Sequence, residues 1–212
     1  MFKKLFIMFA SVALLASCSD KIYEEINTDP TKSLEVNPSS QLTFAELETY
    51  GHMGVVDMYR LYIYAFTQHL MGCWNTTQYG GCHRADDNEM TRFWYNLYPN
   101  AIANLVGGIE ATKDDPNQAN IHAALRIYKV YMFSLLTDIY GDIPYFEAGK
   151  GLSEGLTHPH YDTQEDIYRD FFKELKEAEA EFDGGKFSIT SDVIYNGDIE
   201  MWKRFSASLR LR

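Results

Sequence analysis

The chain has 212 residues, 46% of them apolar and 15% aromatic, with a formal charge of −11. So many apolar side chains exclude an intrinsically disordered chain, and the acidic balance disfavours nucleic acid as a partner, which needs clustered Lys and Arg to release counterions. The length suits one domain or two.

In chain order, Lys3 and Lys4 come first, followed by a run from Leu5 to Ala16 that is apolar apart from Ser11. The run is shorter than the ~20 residues that cross a bilayer as a helix. A positive segment, a short apolar segment and small residues before a cut site describe a secretory signal peptide, here residues 1–17. Leu15-Ala16-Ser17-Cys18 resembles the bacterial lipobox, in which the cysteine is acylated and becomes the first residue of the mature protein. A diacylated Cys18 with an amide-linked palmitate passes the two-signal threshold for stable anchoring, so the mature chain is expected on a membrane without spanning it. Loss of the two lysines with the signal brings the charge to −13.

Residues 18–40 contain Pro30, Pro38 and several turn formers and are expected as a polar tether, with a helical domain over 41–212. Leu42, Ala45, Val55, Met58, Tyr59, Tyr62, Ile63 and Phe66 fall near helical spacing, with Gly51 and Gly54 weakening the middle. "MGCWNTTQYGGCHRADDNE" then reads as a long loop, and a second helix is expected from Asp86–Asn88. Trp94, Tyr98, Ile102, Leu105, Val106 and Ile109 form its apolar stripe, which Pro99 kinks or restarts. Asp115 and Pro116 open the next helix, whose stripe from Ile121 to Ile139 ends at "YGDIPY".

A second long loop is expected over 141–162. Thr163 and Asp166 have the spacing of a capping box before Ile167, Phe171, Leu175, Ala178 and Phe182, and "DGGK" is expected to end that helix at a glycine cap. Asp198 caps a last amphipathic run holding Trp202, Phe205, Ala207 and Leu209, which stops in mid-pattern and predicts a fold incomplete at its C-terminus. The pattern as a whole is all-α: paired helices with long surface loops, like stacked helix–turn–helix units.

Cys73 and Cys82 are eight residues apart, and export permits a disulfide between them without requiring one. His69, Cys73, Cys82 and His83 fit no standard zinc spacing, and His158 and His160 are weak evidence for a metal, so no metal or cofactor is expected. Asp138, Asp142 and Glu147 are acids that a glycosidase or a calcium site would need, but acid-rich turns are common. Asp138 and Asp142 are expected to satisfy backbone amides of the turn instead.

Three segments in order, "LLTDIYGDIPYFEA", "YDTQEDIYRDFFKELKEAEAEF" and "GDIEMWKRFSASLRLR", behind a lipobox, resemble the SusD/RagB family of nutrient-binding outer-membrane lipoproteins of the Bacteroidetes. The resemblance matches the N-terminal part of such a protein. It implies a tetratricopeptide-like scaffold, anchored at the cell surface, that binds glycans or other nutrients without turning them over and passes them to a TonB-dependent, SusC-like transporter barrel. The family's shared motifs are scaffold residues, so the site must be sought in the loops.

A sugar presents an apolar C–H face and a rim of hydroxyls, and its site needs a flat aromatic surface beside polar side chains. Trp74, Asn75, Gln78, Tyr79, Arg84 and Asp86, within one Gly-rich loop, are the candidates. Trp94 and Tyr98, on a helical stripe, are expected in the core. The alternative to a sugar site is a helical scaffold whose aromatic loops bind another protein.

Overall fold

The computed structural model describes residues 37–212 apart from 85 and 184–188, so the signal segment, Cys18 and the tether up to residue 36 lie outside the described residues. Helix α1, Pro38–Gly51, begins earlier than its apolar pattern suggests. Asn37 caps it by accepting from the Ser39 amide at 2.9 Å, and Pro38, expected in the tether, fills the first helical position, where a missing N–H costs nothing. At His52 the backbone turns extended, and the His52 ring accepts the Gly54 amide to start α2.

Helix α2 covers 53–66 in three parts: Met53–Met58, a π-helical turn at Tyr59–Ile63, and Tyr64–Phe66. Helix α3 covers 87–112 in the same manner, Asp87–Asn96 and Ala103–Thr112 joined by a π-helical turn at Leu97–Ile102. The predicted kink at Pro99 is thus absorbed by a wider turn instead of a break. Asp86 caps α3 as expected, its carboxylate accepting the Glu89 amide. Gly54, which weakens a helix on propensity alone, serves close packing of α2 on α3, because a Cβ there would lie 1.6 Å from Asn96 Nδ2.

After a short 3₁₀ turn at Pro116–Gln118, capped by Asp115, α4 runs Ala119–Tyr140. Fourteen of its 22 residues are buried, which makes it the central helix. Helix α3 packs on one side of it and α5, Gln164–Glu181, on the other, with α6, Ile199–Leu211, against both α5 and α4. The result is an all-α stack of tetratricopeptide-like helix pairs. Its core includes Phe93, Leu97, Tyr128, Phe133, Leu136 and Trp202.

The α4–α5 seam also holds charges. Arg126, 12% exposed, pairs with Glu174 and Glu177 at 2.9 Å each and with Glu181, while His122 Nδ1 lies 2.7 Å from Glu181. Burial works to raise the Glu174 carboxyl, but Arg126 and Lys129 outweigh it and hold it down to about 2. The Thr163–Asp166 capping box forms as read, the Asp166 amide donating to Thr163 Oγ1 at 3.2 Å. The far end of α5 differs: it stops at Glu181 with Phe182 extended, before Gly184 and Gly185, which lie outside the described residues.

The 141–162 segment is pinned rather than loose. It carries a one-turn helix, Gly151–Glu154, and Ile143 exchanges two backbone hydrogen bonds with Asp162. The Asp162 carboxylate accepts the amides of Tyr145 and Phe146 at 2.9 and 3.0 Å.

Candidate ligand-binding loop

Loop 67–86 joins α2 to α3 and contains two short turns, Asn75–Gln78 and the 3₁₀ turn Gly80–Cys82, where the sequence alone suggests irregular loop. Gly80 fixes it to the scaffold. The residue is buried, and a Cβ there would lie 2.3 Å from the Leu61 carbonyl oxygen, so only glycine lets the loop settle on the π-helical turn of α2.

Trp74 stands at the tip of this loop, 77% exposed, with φ at 57°. A non-glycine residue there is strained, and such strain persists only where surrounding contacts over-determine it. Here the Trp74 carbonyl accepts both the amide and the hydroxyl of Thr77, at 3.2 and 2.6 Å. The adjacent Asn75 accepts from Arg60 Nη1 at 3.3 Å, and Arg60 Nη2 is held by the buried Asp57 at 2.6 Å. Asp57 also receives Arg92 from α3 at 3.4 Å. Arg60 is the residue that sequence reasoning missed: it belongs to a helix fourteen positions before Trp74, and only the π-helical turn and the loop's return bring it to Asn75.

The other candidates divide into two groups. Gln78 is exposed on the outer side of the one-turn helix with Asn75. Tyr79 is half-buried, packed 6.0 Å from the Tyr62 ring, with the Arg84 guanidinium over its own ring at 5.9 Å. Arg84 in turn lies 3.9 Å from Asp86, which caps α3. So Trp74 and Gln78 are exposed, Asn75 is half-buried against Arg60, and Tyr79, Arg84 and Asp86 are linked to one another and to the start of α3.

A cleft of about 320 Å³ opens beside this tip, lined among others by Gln68, Leu70, Met71, Thr76, Thr77 and His83. Cys73 and Cys82 are both exposed and both free thiols, and Cys82 donates to the Thr77 carbonyl at 2.8 Å. Among the described residues, no group of three or more His, Cys, Asp or Glu is placed to hold a metal ion.

The acids of "YGDIPYFEA" are engaged elsewhere. Asp142 accepts the Gln164 amide at 2.9 Å, which satisfies a backbone donor, though at the start of α5 instead of in its own turn. Asp138 departs from the expectation: its carboxylate takes the Tyr168 hydroxyl and the Arg212 guanidinium, because α4 ends beside α5 and α6 and meets their side chains first. Glu147 accepts the His160 amide at 2.7 Å.

A family model described as "Starch-binding associating with outer membrane", SusD-like, matches residues 30–212. Among solved structures, a SusD-like protein named as Bacteroidetes AC2a is 62% identical with a TM-score of 0.76, covering 84% of this chain and 33% of its own. A chitin-binding protein is 40% identical with a TM-score of 0.75, covering 82% of this chain and 38% of its own. A SusD homologue from Parabacteroides distasonis is 28% identical with a TM-score of 0.71, covering 83% and 34%. The chain thus spans about a third of the length of the structures it matches. No curated protein matches it.

Proposed function

The chain belongs to the SusD-like family, and on that premise we propose that it binds oligosaccharide at the outer-membrane surface through loop 67–86 and passes it to a TonB-dependent, SusC-like barrel. The observation that carries the reading is Trp74, an exposed indole held at a strained backbone position beside the Asn75–Arg60 pair. Its face suits the apolar side of a sugar ring, and Asn75, Gln78 and Arg60 offer the hydrogen bonds that hydroxyls require. Tyr79, Arg84 and Asp86 hold the loop's shape, which lowers the ordering cost of binding. Such a site binds and releases without bond cleavage, so the protein is not an enzyme and needs no cofactor. The lipid on Cys18 keeps it at the membrane, and the polar stretch after it gives reach.

The test is calorimetric titration of the full chain with maltoheptaose and with chitohexaose. Trp74→Ala is expected to weaken binding by at least about tenfold, roughly 1.4 kcal/mol. Because the side chain is exposed, the thermal midpoint should stay within a degree or two of the parent, inside the usual range for surface changes. No reducing ends should appear on prolonged incubation. If the parent binds neither sugar, or Trp74→Ala binds as well as the parent, the reading is wrong.

A second reading is favoured by Leu70 and Met71, 61% and 98% exposed on the rim of the same cleft. In it the loop is a protein-docking surface for the barrel without a sugar site. Capture of the barrel by the full chain, with and without oligosaccharide, separates the two: a pure docking surface is indifferent to sugar.

A further inference from the structure

A second set of aromatic rings lies outside loop 67–86. Trp94 of α3 has Tyr98 against it with ring centroids 4.5 Å apart, and Tyr140 edge-on at 5.2 Å. From the 141–162 segment, Tyr161 stacks on Trp94 at 6.2 Å with the ring planes 17° apart. Tyr98 is fixed from below, since its hydroxyl donates to the Pro144 carbonyl at 2.8 Å and its ring meets the buried Phe133 at 6.2 Å. Phe133, Tyr98, Trp94 and Tyr161 therefore form a ladder from the core to the surface.

The last ring is the unusual one. Tyr161 is 62% exposed, yet its ring and the adjacent backbone both have contacts. Its ring rests on Trp94, and the backbone of the next residue, Asp162, is locked to Ile143 by hydrogen bonds of 2.9 and 3.2 Å. The outer face of the ring is thus left open to solvent. Neither the Tyr161 hydroxyl nor the Trp94 indole N–H bonds to another described residue, and neither is buried, so both are open to solvent. An aromatic face backed by a second ring, with two solvent-open polar groups on the pair, suits a flat ligand with hydroxyls around its rim.

We propose that Tyr161, backed by Trp94, is a second stacking site for a neutral pyranose unit, formed by α3 and the 141–162 segment and distinct from the Trp74 tip. The proposal rests on the reading of the chain as an oligosaccharide binder. Neutral sugar is favoured because the chain carries a net charge of −11, which opposes uronic or sulfated rings. The Trp94 contact and the Asp162–Ile143 pairing of the adjacent backbone limit the ring's freedom, which reduces the side-chain entropy lost on stacking.

The experiment uses the full chain with maltoheptaose and chitohexaose, in the parent and in a Trp74→Ala background. Tyr161→Ala should weaken binding of at least one of these sugars by about tenfold, roughly 1.4 kcal/mol. Tyr161→Phe, which keeps the ring and loses only the hydroxyl, should stay within about threefold of the parent. In the Trp74→Ala background the remaining tryptophans are Trp94 and the fully buried Trp202, so sugar-dependent fluorescence reports on Trp94. That signal should persist without Trp74 and disappear on adding Tyr161→Ala. If Trp74→Ala abolishes all binding while Tyr161→Ala binds both sugars like the parent, the second site does not exist and the Trp74 reading stands. If Tyr161→Ala leaves sugar binding intact but weakens capture of the transporter barrel, the ring is a protein contact and the proposal is overturned. Failure of the parent to bind either sugar overturns both readings together.

Discussion

Replacing Glu46 by glutamine should raise the thermal midpoint at pH 8.5 by several degrees and leave it almost unchanged at pH 5. Glu46 is fully buried on α1, with one oxygen accepting the Val193 amide at 2.9 Å and the other lacking any partner as a carboxylate. Burial pushes its carboxyl up from the ordinary 4.5 to about 8; the Val193 amide opposes the shift and the neighbouring Asp192 adds to it. Protonated, the orphaned oxygen becomes a donor to Asp192, so the neutral acid fits the site and the anion does not.

The direction in pH follows from linkage. A folded-state value above the unfolded one means stability that is fully present below about 4.5 and is lost as pH rises through about 8. At roughly 1.4 kcal/mol per unit the full effect is on the order of 4 kcal/mol, or about 10 °C for a domain of this size. Glutamine keeps the acceptor for Val193 and supplies a permanent donor toward Asp192. Urea titrations of the parent and of Glu46→Gln at pH 5, 7 and 8.5 measure this. A parent whose stability is flat over that range would rule out the protonated carboxyl.

The second large effect is expected at Asp192 itself. This residue, 5% exposed, accepts the amides of Ile194, Tyr195 and Gly197 at 2.9, 3.0 and 3.0 Å, and the indole N–H of Trp202 at 2.7 Å. Burial works to raise its pKa, but the Tyr195 and Gly197 amides, the Trp202 indole and the Ile194 amide hold it below the ordinary 3.8. Its contribution is therefore present above about pH 4 and lost as pH falls through that range, the opposite sense to Glu46. Asp192→Ala leaves four donors unmet and should cost about 3–5 kcal/mol. It should also lower the Glu46 pKa, so at pH 8.5 Glu46→Gln should gain less in the Asp192→Ala background than in the parent. An equal gain in both backgrounds would show that the two side chains are not coupled.

What the sequence makes legible here is local chemistry. Asp86, Asp115, Thr163 and Asp198 announce helix starts because a short polar side chain that accepts from the next turn is a signal readable within four residues. Pro38 misled for the same reason: proline suits a tether and a first helical turn equally, and only Asn37 before it distinguishes the two. Nothing in one helix pattern marks Glu46 as buried, since its partners are about 147 residues away. Arg60 likewise looks like a solvated residue until the loop returns to it. Trp94 reads correctly as a stripe residue, yet its outer partner, Tyr161, comes from a segment without periodicity, so their stack is visible only in three dimensions.

The two π-helical turns have a consequence for how the chain tolerates insertion and deletion. One residue more than an α-turn requires rotates everything beyond it by about 100° about the helix axis. In α3, the stretch before Leu97 presents Trp94 to Tyr161 while the stretch after Ile102 turns Leu105 and Gly108 inward against its neighbours. Excising a single residue from 97–102 would leave both stretches helical and individually sound, but pointing in incompatible directions. The phase between scaffold and surface is therefore stored in the length of these two turns, independently of which side chains occupy them.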